Sequence, residues 1–148
     1  MGASVAYHLA ARGVTDVLVL ERGFMKMGTD YAVPLSKNRE MLAYYRQRLE
    51  AELPDRYVIY GHIGDAHAHV NMIPGSEGEA ETAMSLLKEL ATKAVELGGT
   101  VSAEHGLGKR KKYLLPLQYS PEHIQAMMAV KRRLDPHWLL GRETLFPV

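Results

Sequence analysis

Cysteine is absent from all 148 residues. Disulfides and thiolate metal sites are thereby excluded, and the composition suits a reducing compartment. Charge imbalance is missing as well: 18 basic against 17 acidic residues leave a net charge of +1. Nothing in that balance draws the chain to nucleic acid or to a membrane surface. No apolar run is long enough to span a bilayer, and the N-terminus lacks a basic segment followed by a continuous apolar stretch. Internal repeats and low-complexity tracts are also lacking. These absences predict a cytoplasmic chain with no membrane span and no nucleic-acid partner. The remainder is 47% hydrophobic, enough for one domain with a real core.

Against this plain background, four of the seven histidines fall in two short stretches. One is Gly61-His62-Ile63-Gly64-Asp65-Ala66-His67-Ala68-His69, and the other is Ser102-Ala103-Glu104-His105-Gly106. Imidazole nitrogen and carboxylate oxygen are ligand types that hold a divalent metal, and a further histidine beside them can move protons. If Tyr57–Gly64 and His67–Ile73 pair as a hairpin around Asp65-Ala66, His62 lies directly opposite His69, and His67 shares their face. A tight hairpin prefers glycine where Ala66 stands. Asp65 reads better as a turn residue bonded to its own backbone than as a ligand. His8, His123 and His137 fall outside these stretches and read as ordinary histidines.

The organisation along the chain is α+β. Residues Gly2–Gly13 read as a short helix closed by glycine, and Asp16–Leu20 as a buried strand ending at Glu21. From Gly28 onward, Tyr31–Val33 is a short strand halted by Pro34. Ser36 is placed to cap a helix whose Leu42, Tyr45, Leu49 and Leu53 share one face. The strand Tyr57–Tyr60 leads into the histidine hairpin. A second helix from about Glu79 turns Ala83, Leu87, Leu90, Ala94 and Leu97 inward and closes at Gly98-Gly99. Thr100–Glu104 is expected as a further strand of the same sheet, delivering Glu104 and His105 to its end. Ser120-Pro121 starts a helix lined by Ile124, Met127, Met128 and Leu134, which Asp135-Pro136 stops. Trp138 and the tail after it are expected to pack back onto the domain.

Three ordered motifs carry a resemblance: GHIGDAHAHVN from Gly61, SAEHGLGK from Ser102 and KRRLDPHWLLGRE from Lys131. They resemble the C-terminal domain of FAD-linked oxidases acting on 2-hydroxy acids, which usually reads GHxGDGNxHxN, SxEHGxGxxK and KxxxDPxxxLNPG. The family includes D-lactate dehydrogenase, the glycolate oxidase flavin subunit and D-2-hydroxyglutarate dehydrogenase. Here Ala66 and His67 replace the usual Gly-Asn, and Gly141-Arg142 the Asn-Pro. The resemblance implies an antiparallel sheet with helices on one face, a ferredoxin-like cap domain. It also implies that His62, His69 and Glu104 bind a divalent metal, zinc or manganese, with His105 as the general base and Asn71 contacting substrate. Lys109 lies in the family's glycine-x-x-lysine region. The run Lys109–Lys112 reads either as a solvated loop or as an attractor of an anionic substrate. His67 shares the metal face but occupies a family asparagine position, which favours a supporting role over ligation.

The implied cofactor is FAD, held in the family by a separate domain of the vanillyl-alcohol oxidase type that nothing here resembles; a flavin-domain polypeptide is thus an implied partner. The family's substrate-gripping arginine lies upstream of the matched region. Residues 2–22 resemble instead the second half of a dinucleotide-binding unit of the amine and D-amino acid oxidase class, with Gly2 as its last glycine and Glu21 as the ribose-binding acid. They read equally well as an ordinary helix and core strand. The expectation is therefore a fragment over 1–24 joined to a family domain over 25–148, by fusion of gene fragments or by truncation. The leading reading is the substrate- and metal-binding portion of a 2-hydroxy acid oxidoreductase, incomplete and inactive on its own. The alternatives are a non-catalytic remnant acting as a metal-binding or interaction module, and a fragment of a flavin amine oxidase.

Overall fold

The computed structural model describes residues 27–147. The expected helix over 2–13, the strand over 16–20 and Glu21 lie outside them. The described chain runs β1 (Met27–Gly28), α1 (Asn38–Glu52), β2 (Tyr57–His62), β3 (His67–Met72), α2 (Glu77–Glu96), α3 (Leu115–Gln118) and α4 (Pro121–Leu134). The strands form an antiparallel sheet in the order β1-β3-β2.

β3 shows how the sequence divides the sheet into two chemical faces. His67, His69 and Asn71 alternate with Ala68, Val70 and Met72, so one face is polar and the other apolar. Val70 and Met72 are fully buried in the core, with Tyr57, Ile59 and Ala68 packed around them. Both long helices cover this apolar face. α1 contributes Met41, Tyr45 and Leu49 at four-residue spacing, and α2 contributes Ala83, Leu86, Leu87, Leu90, Ala91 and Ala94. Arg48 on α1 bonds Glu89 on α2 through Nε at 2.6 Å, and Tyr44 donates to the same carboxylate at 2.7 Å. The helices are thus tied together at their outer edge as well as through the core.

Helix ends follow local chemistry. Ser76 caps α2 by accepting from the Glu79 amide, and Gly98, with φ of 77°, lets the chain leave it. Ser120 caps α4 by accepting from His123, with Pro121 in the first turn. Ser36 caps nothing: α1 grows out of a 3-10 turn at Leu35–Lys37, with Lys37 at its N-cap and no side-chain bond there.

Four further expectations are corrected. The hairpin loop spans four residues, Ile63–Ala66, so His62 pairs with His67 and Tyr60 with His69. A 3-10 turn followed by Ala66 at φ 48° makes that longer loop. The shift is even, so all three histidines keep one face. Tyr31–Val33 is not a strand; only Ala32 bridges, to both His67 and Thr100. Beyond that bridge the segment to Glu104 leaves the sheet, because its groups turn to Asp30 instead: Ala103 donates to the Asp30 carbonyl and Ser102 to its carboxylate, both at 2.8 Å. Finally, α4 buries no residue and Leu134 is 78% exposed. Leu139 and Leu140 of the tail are exposed too, although Lys131 and Asp135 bond the backbone at 139–140.

Candidate metal centre

The polar face of the hairpin meets the loop that follows α2. β2 supplies His62, β3 supplies His67, His69 and Asn71, and the loop supplies Glu104 and His105. One carboxylate oxygen, Glu104 Oε1, is ringed by imidazole nitrogens: His105 Nε2 at 3.1 Å, His69 Nε2 at 3.2 Å and His62 Nε2 at 3.7 Å. Donor atoms of His62, His67, His69 and Glu104 all lie within 4.8 Å of one another, as do those of Asp30, His69, Glu104 and His105. The site is graded in depth. His67 and His69 are buried, whereas His62 and His105 are open to solvent.

His69 Nδ1 faces the Thr29 carbonyl at 3.4 Å. A carbonyl only accepts, so it is the Nδ1–H tautomer that makes this bond, and in that tautomer Nε2 turns a lone pair toward the Glu104 side of the site. Metal-ligating imidazoles are oriented in this way. The Tyr60 ring, 5.2 Å from that of His69, borders it on the neighbouring strand.

Asp30 organises the site, and the sequence reading did not find it. Its carboxylate is 1% exposed and accepts from the Ser102 hydroxyl and the His105 amide at 2.8 Å, and from the Glu104 amide at 3.3 Å. Burial alone raises its pKa, but the His105 amide, the Ser102 hydroxyl, the Glu104 amide and the His105 charge outweigh it and hold the group below its ordinary value. An anion is thus fixed beside the histidines. Its only trace in the sequence is an acid lying among residues that become core, in Thr29-Asp30-Tyr31. His67 Nε2 lies 3.1 Å from Asp30 Oδ1, but the two are misaligned, and this buried nitrogen has no hydrogen-bond partner among the described residues. A buried imidazole nitrogen without a hydrogen-bond partner, amid other imidazoles and two carboxylates, is a donor set of the type a divalent cation satisfies.

Next to the cluster opens a cleft of about 490 Å³ lined by His69, His105, Asn71 and Tyr60, by the apolar Met27, Met84 and Leu87, and by Arg110 and Lys111. Asn71 Nδ2 donates to Tyr60 Oη at 2.8 Å. Burial pushes the Lys111 ammonium below its ordinary value, with the Asp30 carboxylate opposing. Lys109 is exposed and does not line the cleft. Counted along the motif, the lysine of glycine-x-x-lysine after Gly108 falls at Lys111. His62, His69, Glu104, His105 and Asn71 are therefore brought together, and Lys109 stands apart.

The α+β domain thus gathers imidazoles, carboxylates and a basic cleft on one sheet face. The chain belongs to the family of FAD linked oxidases, C-terminal domain, which it matches over residues 6–144. It is 34% identical over 139 residues to the D-2-hydroxyglutarate dehydrogenase of Xanthomonas citri pv. viticola, covering 90% of this chain and 29% of that protein. To the D-lactate dehydrogenase of Anaerostipes hadrus it is 34% identical, over 76% of this chain and 24% of that one. To the glycolate oxidase subunit GlcD of Bacillus subtilis it is 31% identical, over 79% and 25% respectively. The chain thus spans 24–29% of the length of these relatives. Among the described residues no helix is long and apolar enough to cross a membrane.

Proposed function

We propose that this chain forms the substrate- and metal-binding portion of an FAD-dependent 2-hydroxy acid oxidoreductase of the D-lactate or glycolate type. His62, His69 and Glu104 hold a divalent cation, zinc or manganese. A cation held there would lower the pKa of the substrate hydroxyl, and FAD held by a flavin domain outside these residues would supply the hydride acceptor. The chain's own residues do the rest. His105, which lines the cleft, takes the hydroxyl proton. Asn71, with Arg110 and Lys111 in the cleft, receives the substrate carboxylate, and the exposed Lys109 adds attraction for the anion from outside it. Met27, Met84 and Leu87 offer a wall suited to a short carbon chain.

The observation carrying this reading is the convergence of three imidazole nitrogens on Glu104 Oε1 at the edge of a basic cleft. The fold is read here as ferredoxin-like; the isolated bridges of Ala32 to His67 and to Thr100 at the sheet edge support that reading. The division into 1–24 and 25–148 is part of the same proposal, although the family match runs across that boundary. Calorimetric titration of the purified chain with D-lactate or glycolate tests the core of it. Binding is expected with zinc or manganese present and lost on chelation or in Glu104→Gln. Equal heats with and without the cation would contradict the assignment. Paired with a family flavin-domain polypeptide, His105→Asn should lower turnover about a hundredfold to ten-thousandfold while metal content is kept.

A further inference from the structure

We propose that His67 is a fourth ligand of the same cation, so that this chain grips its metal with three imidazoles and one carboxylate: His62, His67, His69 and Glu104. The proposal rests on the metal site put forward above and extends it. It concerns a position where the family pattern carries asparagine and this chain carries a histidine.

Four observations carry it. The register places His67 directly across the hairpin from His62 and two residues from His69, so the strand pleat aims all three rings to one side. Ring centroids of His67 and His69 are 4.2 Å apart, and those of His62 and His67 are 5.6 Å apart. Their donor atoms, with that of Glu104, fall within one 4.8 Å group. His67 is 5% exposed and its Nε2 has no hydrogen-bond partner among the described residues, so water does not satisfy it readily and a cation would. Charge fits too: Glu104 within the group and Asp30 beside His67 supply two negative charges against a divalent ion.

Chemistry follows from the ligand count. Three nitrogens and one oxygen suit zinc, cobalt(II) or nickel better than manganese or calcium, which favour oxygen. Four protein ligands make the ion four-coordinate before substrate arrives, and the substrate hydroxyl would then enter by expansion to five-coordination, which zinc allows.

The test uses the purified chain, stripped by chelation and titrated with Co²⁺ and then Zn²⁺. The wild type is expected to give the intense visible absorption of four-coordinate cobalt, displaced by equimolar zinc and not by excess manganese. His67→Asn should lose that intensity and bind zinc at least about tenfold more weakly, with manganese affinity little changed. X-ray absorption on the zinc-loaded protein is read against the variant: three imidazoles per zinc in the wild type falling to two in His67→Asn support the proposal, and two in the wild type, or three in both, overturn it. His69→Ala separates the levels. If it abolishes zinc binding while His67→Asn leaves spectrum and affinity unchanged, the fourth ligand falls and the underlying site stands. If the wild type takes up neither cobalt nor zinc, both fall.

Discussion

Asp30 illustrates how much one side chain decides at this site. It lies more than seventy residues from Ser102, Glu104 and His105, yet its carboxylate bonds all three. Hydrogen bonds to a charged acceptor are worth about 1.5–3 kcal/mol each, less where water replaces them. Asp30→Ala should therefore lower the stability of the metal-free chain by roughly 2–3 kcal/mol in urea unfolding. It should also weaken metal binding, because the loop that aims Glu104 loses its anchor; unchanged stability and affinity would remove Asp30 from this role. Asp135 makes a cleaner acid titration, because it belongs to neither of the histidine–carboxylate clusters. Lys131 first, and the Leu140 and Leu139 amides after it, depress its pKa from 3.8 to about 2. A depressed carboxylate stabilises the fold above its unfolded pKa and loses that contribution as pH falls through the folded value. Amide exchange at Leu139 and Leu140 should accordingly gain protection-loss between pH 4 and 2, relative to the intrinsic rate. Asp135→Asn should abolish that step.

Among the elements, the histidine hairpin is the one whose geometry the function needs. Gly61 sits at φ 145°, and a Cβ there would meet the His67 carbonyl oxygen at 2.3 Å and Ala68 Cα at 3.0 Å. Gly64, three residues on, has open space around it. Gly61→Ala should cost about 1–3 kcal/mol or more through overpacking against backbone, and should disturb the pairing of His62 with His67. Gly64→Ala should be tolerated, and thermal melts of the two variants compare them directly. The alternation in β3, the apolar faces of α1 and α2, and the Ser120 cap were legible because each is set by neighbours within a turn or a strand. The hairpin register was not, since Ala66 gives no sign that it adopts the left-handed conformation closing a four-residue loop. Nor was Asp30, whose partners are fixed only when the chain folds. The motifs pointed to the residues that the hairpin and the loop after α2 bring together, and counting the glycine-x-x-lysine spacing from Gly108 leads to Lys111 in the cleft.

At the scale of the molecule, the apolar sheet face is spent on the two helices while the polar face carries the site, with Tyr60 and Ile63 exposed beside it. The chain spans about a quarter of the length of its relatives, and in the function proposed above FAD is held by a separate flavin domain. These 148 residues alone should bind FAD no tighter than about micromolar. Quenching of FAD fluorescence measures this, and nanomolar binding would contradict it. The central claim is narrower: His62, His69 and Glu104 are metal ligands, and His105 is not. Elemental analysis of the purified chain addresses it most directly. One divalent cation per chain is expected in the wild type and in His105→Ala, with the metal lost from His69→Ala. Equal metal content in wild type and His69→Ala would contradict the account.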